Sequence, residues 1–332
     1  MHIPDNYLSP ATCAVMGVAM IPAWKVSIQK IRQEIPKEKM AFLGVGAAFS
    51  FLSMMFNIPL AGGTTGHAVG GTLIAILAGP YAACISVTMA LFIQCLMFGD
   101  GGVLAFGANC FNMAFVLPFV GYFVYTQVKR YWKGKYGEQF AAGFGSYIGI
   151  NAAAFCAAVE FGIQPLLFKN GAGNPLYCPY PLSVSIPAMM IGHLTVFGAA
   201  EVVYTVAVLG FMKKVNKDTN YTKVKHTSKA VYALLAALIV CTPLGLLAAG
   251  TAWGEWGSDE IASVVSKGST LGFIPEGMKH GFNYRALFSD YVIAGMPAWI
   301  GYMISAIIGT AIVIILFKII STFMKNKVEF DL

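Results

Sequence analysis

The chain has 332 residues, 57% of them hydrophobic and only 11% charged, and its mean hydropathy is +0.68. A soluble domain carries about a quarter charged residues, so this composition excludes a soluble globular domain, a disordered chain and a disulfide-built secreted scaffold. It points to an all-α polytopic membrane protein, and the net charge of +7 becomes a question of where the positive residues sit.

Nine apolar segments follow one another at about Leu8–Val26, Met40–Leu60, Val69–Gly79, Tyr81–Phe98, Val103–Val128, Phe140–Leu166, Ser183–Met212, Val231–Ala249 and Tyr291–Ile320. Most approach the ~20 residues that cross a hydrocarbon core. The third is too short. Lying between Gly62–Gly66 and Pro80, it predicts a short helix covered by its neighbours, the condition under which irregular backbone survives at membrane depth. Lys and Arg then separate by side. Lys25 to Lys39, Lys129 to Lys135, Lys213 to Lys229 and Lys318 to Lys327 fall on one side; Lys169, Lys267, Lys279 and Arg285 fall on the other. The asymmetry predicts a cytoplasmic first set, an outside N-terminus and an inside C-terminus. The basic residues report topology, and no nucleic-acid partner is expected.

The parse is a membrane core over residues 1–215, a cytoplasmic linker over 216–230, and a two-span accessory domain over 231–332 with an outer loop at 250–290. The seven cysteines (13, 84, 95, 110, 156, 178, 241) contain no CxxC pair and read as small packing residues. Small residues recur within the segments, as at Ala19 and Ala23, where they let helices approach closely. No basic n-region precedes the first segment, so Met1 is expected to begin the mature chain and, followed by the bulky His2, to be retained.

That start has chemical consequences. A free α-amine, the His2 peptide nitrogen and the His2 imidazole Nδ1 close a five-membered and a six-membered chelate ring on one ion. Three nitrogens then lie nearly in a plane with one equatorial position open, a field that suits nickel(II) and copper(II). His67, flanked by glycine and on the same side of the membrane, is the candidate fourth donor, with the hydroxyls of Thr64 and Thr65 placed to orient the ligands. His193 and Glu201 lie eight residues apart on the seventh segment, either as a functional pair or as a polar packing contact. His226 reads as solvated in the linker. His280, in the outer loop, is exposed or assists metal capture.

Met1-His-Ile-Pro-Asp, Pro59-Leu60 before Gly-Gly-Thr-Thr-Gly-His67, and Phe98-Gly-Asp-Gly-Gly102 leading to Gly107-Ala-Asn-x-Phe-Asn-Met-Ala114 resemble the CbiM/NikM family, the substrate-specific subunits of nickel and cobalt energy-coupling-factor importers. The likeness covers about residues 1–215. The segment with Pro243 to Leu247 and Gly250-Thr-Ala-Trp-Gly-Glu-Trp256 looks like the family's two-span accessory component. The resemblance implies a seven-helix core that holds a divalent metal through Met1, His2 and His67. It also implies a transmembrane coupling subunit and two cytoplasmic ATPases as partners, with Ala19 and Ala23 on the face offered to the coupling subunit. The chain has no GxxxxGK[ST] phosphate loop of its own. The expected function is thus metal import without catalysis in the plasma membrane of a prokaryote, with nickel(II) as cargo. The alternative cargo is cobalt(II) for cobalamin biosynthesis. Two rivals remain: an intramembrane enzyme using His193, Glu201 and Asp100 as acid–base groups, and a carrier that works without an ATPase.

Overall fold

The computed structural model describes residues 1–36, 40–60, 64–215, 229–248, 250–266 and 269–323. Its helices are α1 (Pro10–Glu34), α2 (Met40–Met54), α3 (Gly71–Ala78), α4 (Pro80–Phe98), α5 (Phe106–Tyr131), α6 (Gly137–Leu167), α7 (Leu182–Val215), α8 (Lys229–Leu247) and α9 (Ala298–Phe323). Seven of them are long and apolar enough to cross a membrane; α2 and α3 are shorter. The chain is a multi-pass helical membrane protein. The expected linker is outside the described residues except for its last two, which open α8, and His226, Gly62 and Gly63 also lie outside them.

Ser9 and Pro10 start α1: the Ser9 hydroxyl accepts the Thr12 amide at 3.0 Å and Pro10 takes the first turn, where its missing N–H costs nothing. The buried centre is α4, α5 and α6, whose apolar stretches are 56–61% buried against 17% for α1 and 22% for α8. Close approach depends on glycine. A Cβ on Gly107 of α5 would stand 2.6 Å from the Gly17 backbone of α1, and one on Gly145 of α6 would stand 2.6 Å from the Gly121 carbonyl of α5. In lipid, such contacts replace the hydrophobic drive that assembles soluble bundles. Helix α9 packs along α2, and α8 lies against both. Toward the other ends of α5, α6 and α7, the Lys129 and Lys213 ammonium groups both donate to Glu138.

Two apolar segments are not helical throughout. The second leaves its helix at Met54 and becomes strand β1 (Ile58–Leu60), paired antiparallel with β2 (Thr64–Gly66) so that Ile58 faces Gly66 and Leu60 faces Thr64. Pro59 has no amide hydrogen and disfavours helix at the residue before it. In the ninth, residues 291–297 precede the helix, which begins only after Pro297. Asp290 and Tyr291 both have positive φ, 56° and 62°, a backbone that L-residues adopt at a cost. Three helices carry a π-helical turn, at Gln94–Phe98, Cys110–Val116 and His193–Phe197. The last of these lies between His193 and Glu201, both of which are buried.

Candidate metal centre

Residues 1–8 form a tail that turns at Asn6, whose φ is 68°, and tucks into the end of the bundle; Met1, His2, Ile3, Tyr7 and Leu8 are all buried. The tail is fastened mainly through its backbone. The Ile3 amide donates to Asn109 Oδ1 at 2.7 Å, and Asn109 Nδ2 donates back to the Ile3 carbonyl at 3.1 Å. That carbonyl also accepts the Gly102 amide at 2.8 Å. The Asp5 carboxylate accepts the amides of Val103 and Leu104 at 3.0 and 2.8 Å. Tyr7 accepts from the Cys178 amide and, through its hydroxyl, donates to the Trp256 carbonyl at 2.9 Å. The Gly99–Gly102 turn is glycine-built for contact: Gly99 and Gly101 have φ of 70° and 83°, and a Cβ on Gly102 would fall 2.4 Å from the Asp5 amide nitrogen. Gly102→Ala is therefore expected to push the tail out of its groove, and limited proteolysis of the purified protein should then clip it before Tyr7.

The tail brings His2 to His67. His67 Nδ1 faces the Ala68 carbonyl at 3.3 Å; a carbonyl only accepts, so Nδ1 carries the hydrogen and Nε2 keeps its lone pair. That Nε2 lies 3.2 Å from His2 Nδ1, which in turn stands 3.1 Å from Asp100 Oδ1. With metal–nitrogen distances of about 2 Å, neighbouring corners of a square lie about 2.8 Å apart, so the two imidazole nitrogens sit near the spacing of adjacent ligands. Burial, then the positive charge of the nearby amino terminus and of His2, holds His67 well below the usual histidine range, so its imidazole is neutral. The Met1 amino group donates to Glu255 Oε1 at 3.3 Å.

The loop that carries His67 is held from below. Glu201, fully buried on α7, accepts the Val69 amide at 2.8 Å and the Gly70 amide at 3.0 Å. This carboxylate binds backbone two and three residues after a candidate ligand, a positioning role the sequence did not single out. His193 turns its Nδ1 to the Met189 carbonyl at 2.8 Å within its own helix. The Thr64 hydroxyl accepts the Trp253 amide at 2.8 Å and ties β2 to the segment between α8 and α9. Thr65 is buried beside His2 and His67 in a cavity wall. His280 is exposed and off that wall. On α1, Ala19 faces outward beside Val15 and Val18, while Ala23 packs inward. The cysteines at all seven positions are free. Sequence reasoning missed Asn109 and Glu255 as contacts of the tail, although both lie within motifs it had singled out.

Among the described residues no three His, Cys, Asp or Glu side chains form a metal cage. The candidate donors are instead terminal, backbone and imidazole nitrogens at one end of a helical bundle. Fold and site together define a polytopic membrane protein with a nitrogen-rich pocket built around its own amino terminus. Residues 2–219 match the family described as the cobalt uptake substrate-specific transmembrane region, and residues 227–326 match the PDGLE domain. The chain belongs to that cobalt uptake family, with a PDGLE region following in the same polypeptide. It is 49% identical over 321 residues to the probable fused nickel transport protein LarMN of Lactiplantibacillus plantarum, covering 96% of this chain and 97% of that one. The fused nickel transport protein NikMN of Rhodobacter capsulatus is 44% identical, covering 95% of each. A crystal structure titled as a truncated transition metal transporter superposes with a TM-score of 0.62 at 52% identity, over 65% of this chain and all of that one. These relatives are transport proteins, and the chain is a transport protein of the membrane rather than an intramembrane acid–base enzyme.

Proposed function

We propose that the chain is the substrate-binding subunit of an ATP-driven importer of a divalent transition metal, with nickel(II) as cargo. The Met1 amine, the His2 peptide nitrogen, His2 Nδ1 and His67 Nε2 form the planar field. The approach of His67 Nε2 to His2 Nδ1 at 3.2 Å carries this reading, because the two nitrogens already stand near the spacing of adjacent ligands on one ion. Nickel is favoured over cobalt by the planar four-nitrogen donor set. It is also favoured by the relatives: those matching nearly the whole chain are named for nickel, whereas the protein named cobalt transport protein CbiM in Acetoanaerobium sticklandii matches only 39% of it. Energy comes from a coupling subunit and two cytoplasmic ATPases. The amino terminus faces outside and the carboxyl end the cytoplasm, as the distribution of Lys and Arg supports.

The test is metal content. Protein extracted from nickel-grown cells should retain about one ion per chain, and His2→Ala or His67→Ala should each lower this below a tenth with expression unchanged. Full occupancy of His67→Ala would remove that residue from the site. Acid should empty the wild-type site. The His67 imidazole is neutral near pH 7, and every donor must be free of its proton to bind, so falling pH favours the protonated, metal-free form. Titrating bound radioactive nickel between pH 8 and pH 5 reads this directly, and retention that is flat across that range would contradict it.

A further inference from the structure

A cavity of about 380 Å³ opens beside His2 and His67, between the core and the outer segment of the PDGLE region. Three carboxylates reach its wall, from three separate parts of the chain: Asp100 after α4, Glu255 in the outer segment and Asp290 ahead of α9. Neither Lys nor Arg is among its lining residues. Asp100 is fixed in place, its Oδ2 accepting the Tyr291 hydroxyl at 2.6 Å and Gln94 Nε2 at 3.2 Å. Asp290 is exposed, makes no side-chain hydrogen bond among the described residues, and sits on the positive-φ pair that also presents the Tyr291 hydroxyl. His2, 3% exposed, lines the same cavity, and its Nε2 has no partner among the described residues.

We infer that this cavity is an entry vestibule that captures a hydrated divalent cation on Asp290, Glu255 and Asp100 before the nitrogens chelate it. The inference rests on the proposed metal-import function and adds the form in which the cargo arrives. About six waters at ~30 Å³ each need ~180 Å³, so the cavity admits the ion with its water shell, whereas the two imidazole nitrogens 3.2 Å apart leave no room for that shell. Dehydration thus occurs at the boundary between the two compartments. Glu255 is engaged by the Met1 amino group and Asp100 by His2, which leaves Asp290 as the free carboxylate; acidic groups lining a low-dielectric cleft concentrate counter-ions and raise association rates by about 10–10³-fold. The vestibule needs both parts of the chain. The Trp253 amide on Thr64, the Tyr7 hydroxyl on the Trp256 carbonyl and the Tyr291 hydroxyl on Asp100 all seat the outer segment over the core. The PDGLE region thereby supplies two of the three carboxylates.

Metal-stripped full-length protein in detergent, mixed rapidly with nickel(II) chloride at about 10 mM salt, where charges act over about 30 Å, tests the inference. Loading is followed by radioactive nickel retained on a filter and by the visible absorption of a planar nickel–nitrogen chelate. The expected result is an association rate at least tenfold lower in Asp290→Asn/Glu255→Gln, with the wild-type rate falling as salt is added and the double variant's rate nearly flat. Asp290→Asn alone should slow loading with an unchanged absorption band at saturation, and Asp290→Glu should load like wild type. Wild-type rates and salt dependence in the double variant would overturn the vestibule. So would a folded double variant that holds no nickel at saturation, since the carboxylates would then be ligands of the final site. Wild-type protein that retains nickel without the band would instead refute the nitrogen chelate, and the filter assay would still report on the vestibule.

Discussion

Protein carrying an uncleaved two-residue extension on Met1 is expected to lose nickel affinity by at least ~100-fold, about 2.8 kcal/mol. The extension converts the amine into a peptide nitrogen and removes the donor that closes the five-membered ring. Without that anchor the His2 amide keeps only its own imidazole as a neighbouring ligand, and one chelate ring instead of two draws the metal toward its hydrogen. The tail also has no space to spare: Met1 is 4% exposed and Ile3 is fully buried between Asn109 and Gly102. Chemistry and packing can be separated. A protease-cleavable extension should recover full affinity on cleavage, whereas α-amine acetylation, a much smaller change, should stay weak. Equilibrium dialysis with radioactive nickel measures all three forms. An acetylated protein that binds like the unmodified one would show that the amine is not a ligand, whatever the imidazoles do.

Much of the fold was legible because membrane segments announce themselves by length and apolarity. The nine apolar runs correspond in order to α1 through α9, and the short third run is the buried α3. What could not be read was local. The second run continues with apolar residues to Leu60, and hydropathy alone does not register that Pro59 turns its end into a strand. The ninth begins with Tyr291, whose positive φ keeps it out of the helix. At the candidate site, His2 was singled out from chelate-ring chemistry, which depends on the order of atoms at the chain start, and His67 from its glycine flanks; the fold sets their imidazole nitrogens 3.2 Å apart. Asn109 and Glu255 were not, because they act across 106 and 254 positions of sequence. Only packing brings such pairs together. Thr64 shows the same limit: the Trp253 amide that its hydroxyl accepts lies 189 positions away.

Glu201→Ala should be the most damaging change outside the donors themselves. It leaves the Val69 and Gly70 amides buried without an acceptor, at ~1–3 kcal/mol each, and both belong to the turn that aims His67. Gly70 has φ of 73° and caps the start of α3, so a slip there shifts the loop rather than being absorbed by it. Groups that orient a metal ligand typically contribute 10–100-fold in affinity, and a loss in that range is expected for nickel together with a clear drop in thermal stability. Glu201→Gln separates orientation from charge. Its single amide oxygen can accept one of the two hydrogens, while its NH₂ faces the other amide donor, so it should fall between alanine and wild type in both affinity and stability. An acid–base role predicts a different pattern, in which glutamine is as inactive as alanine although the fold is as stable as wild type. Parallel thermal melts and nickel dialysis on the three proteins decide between them. Alanine and wild type binding nickel equally would free Glu201 from any part in placing His67.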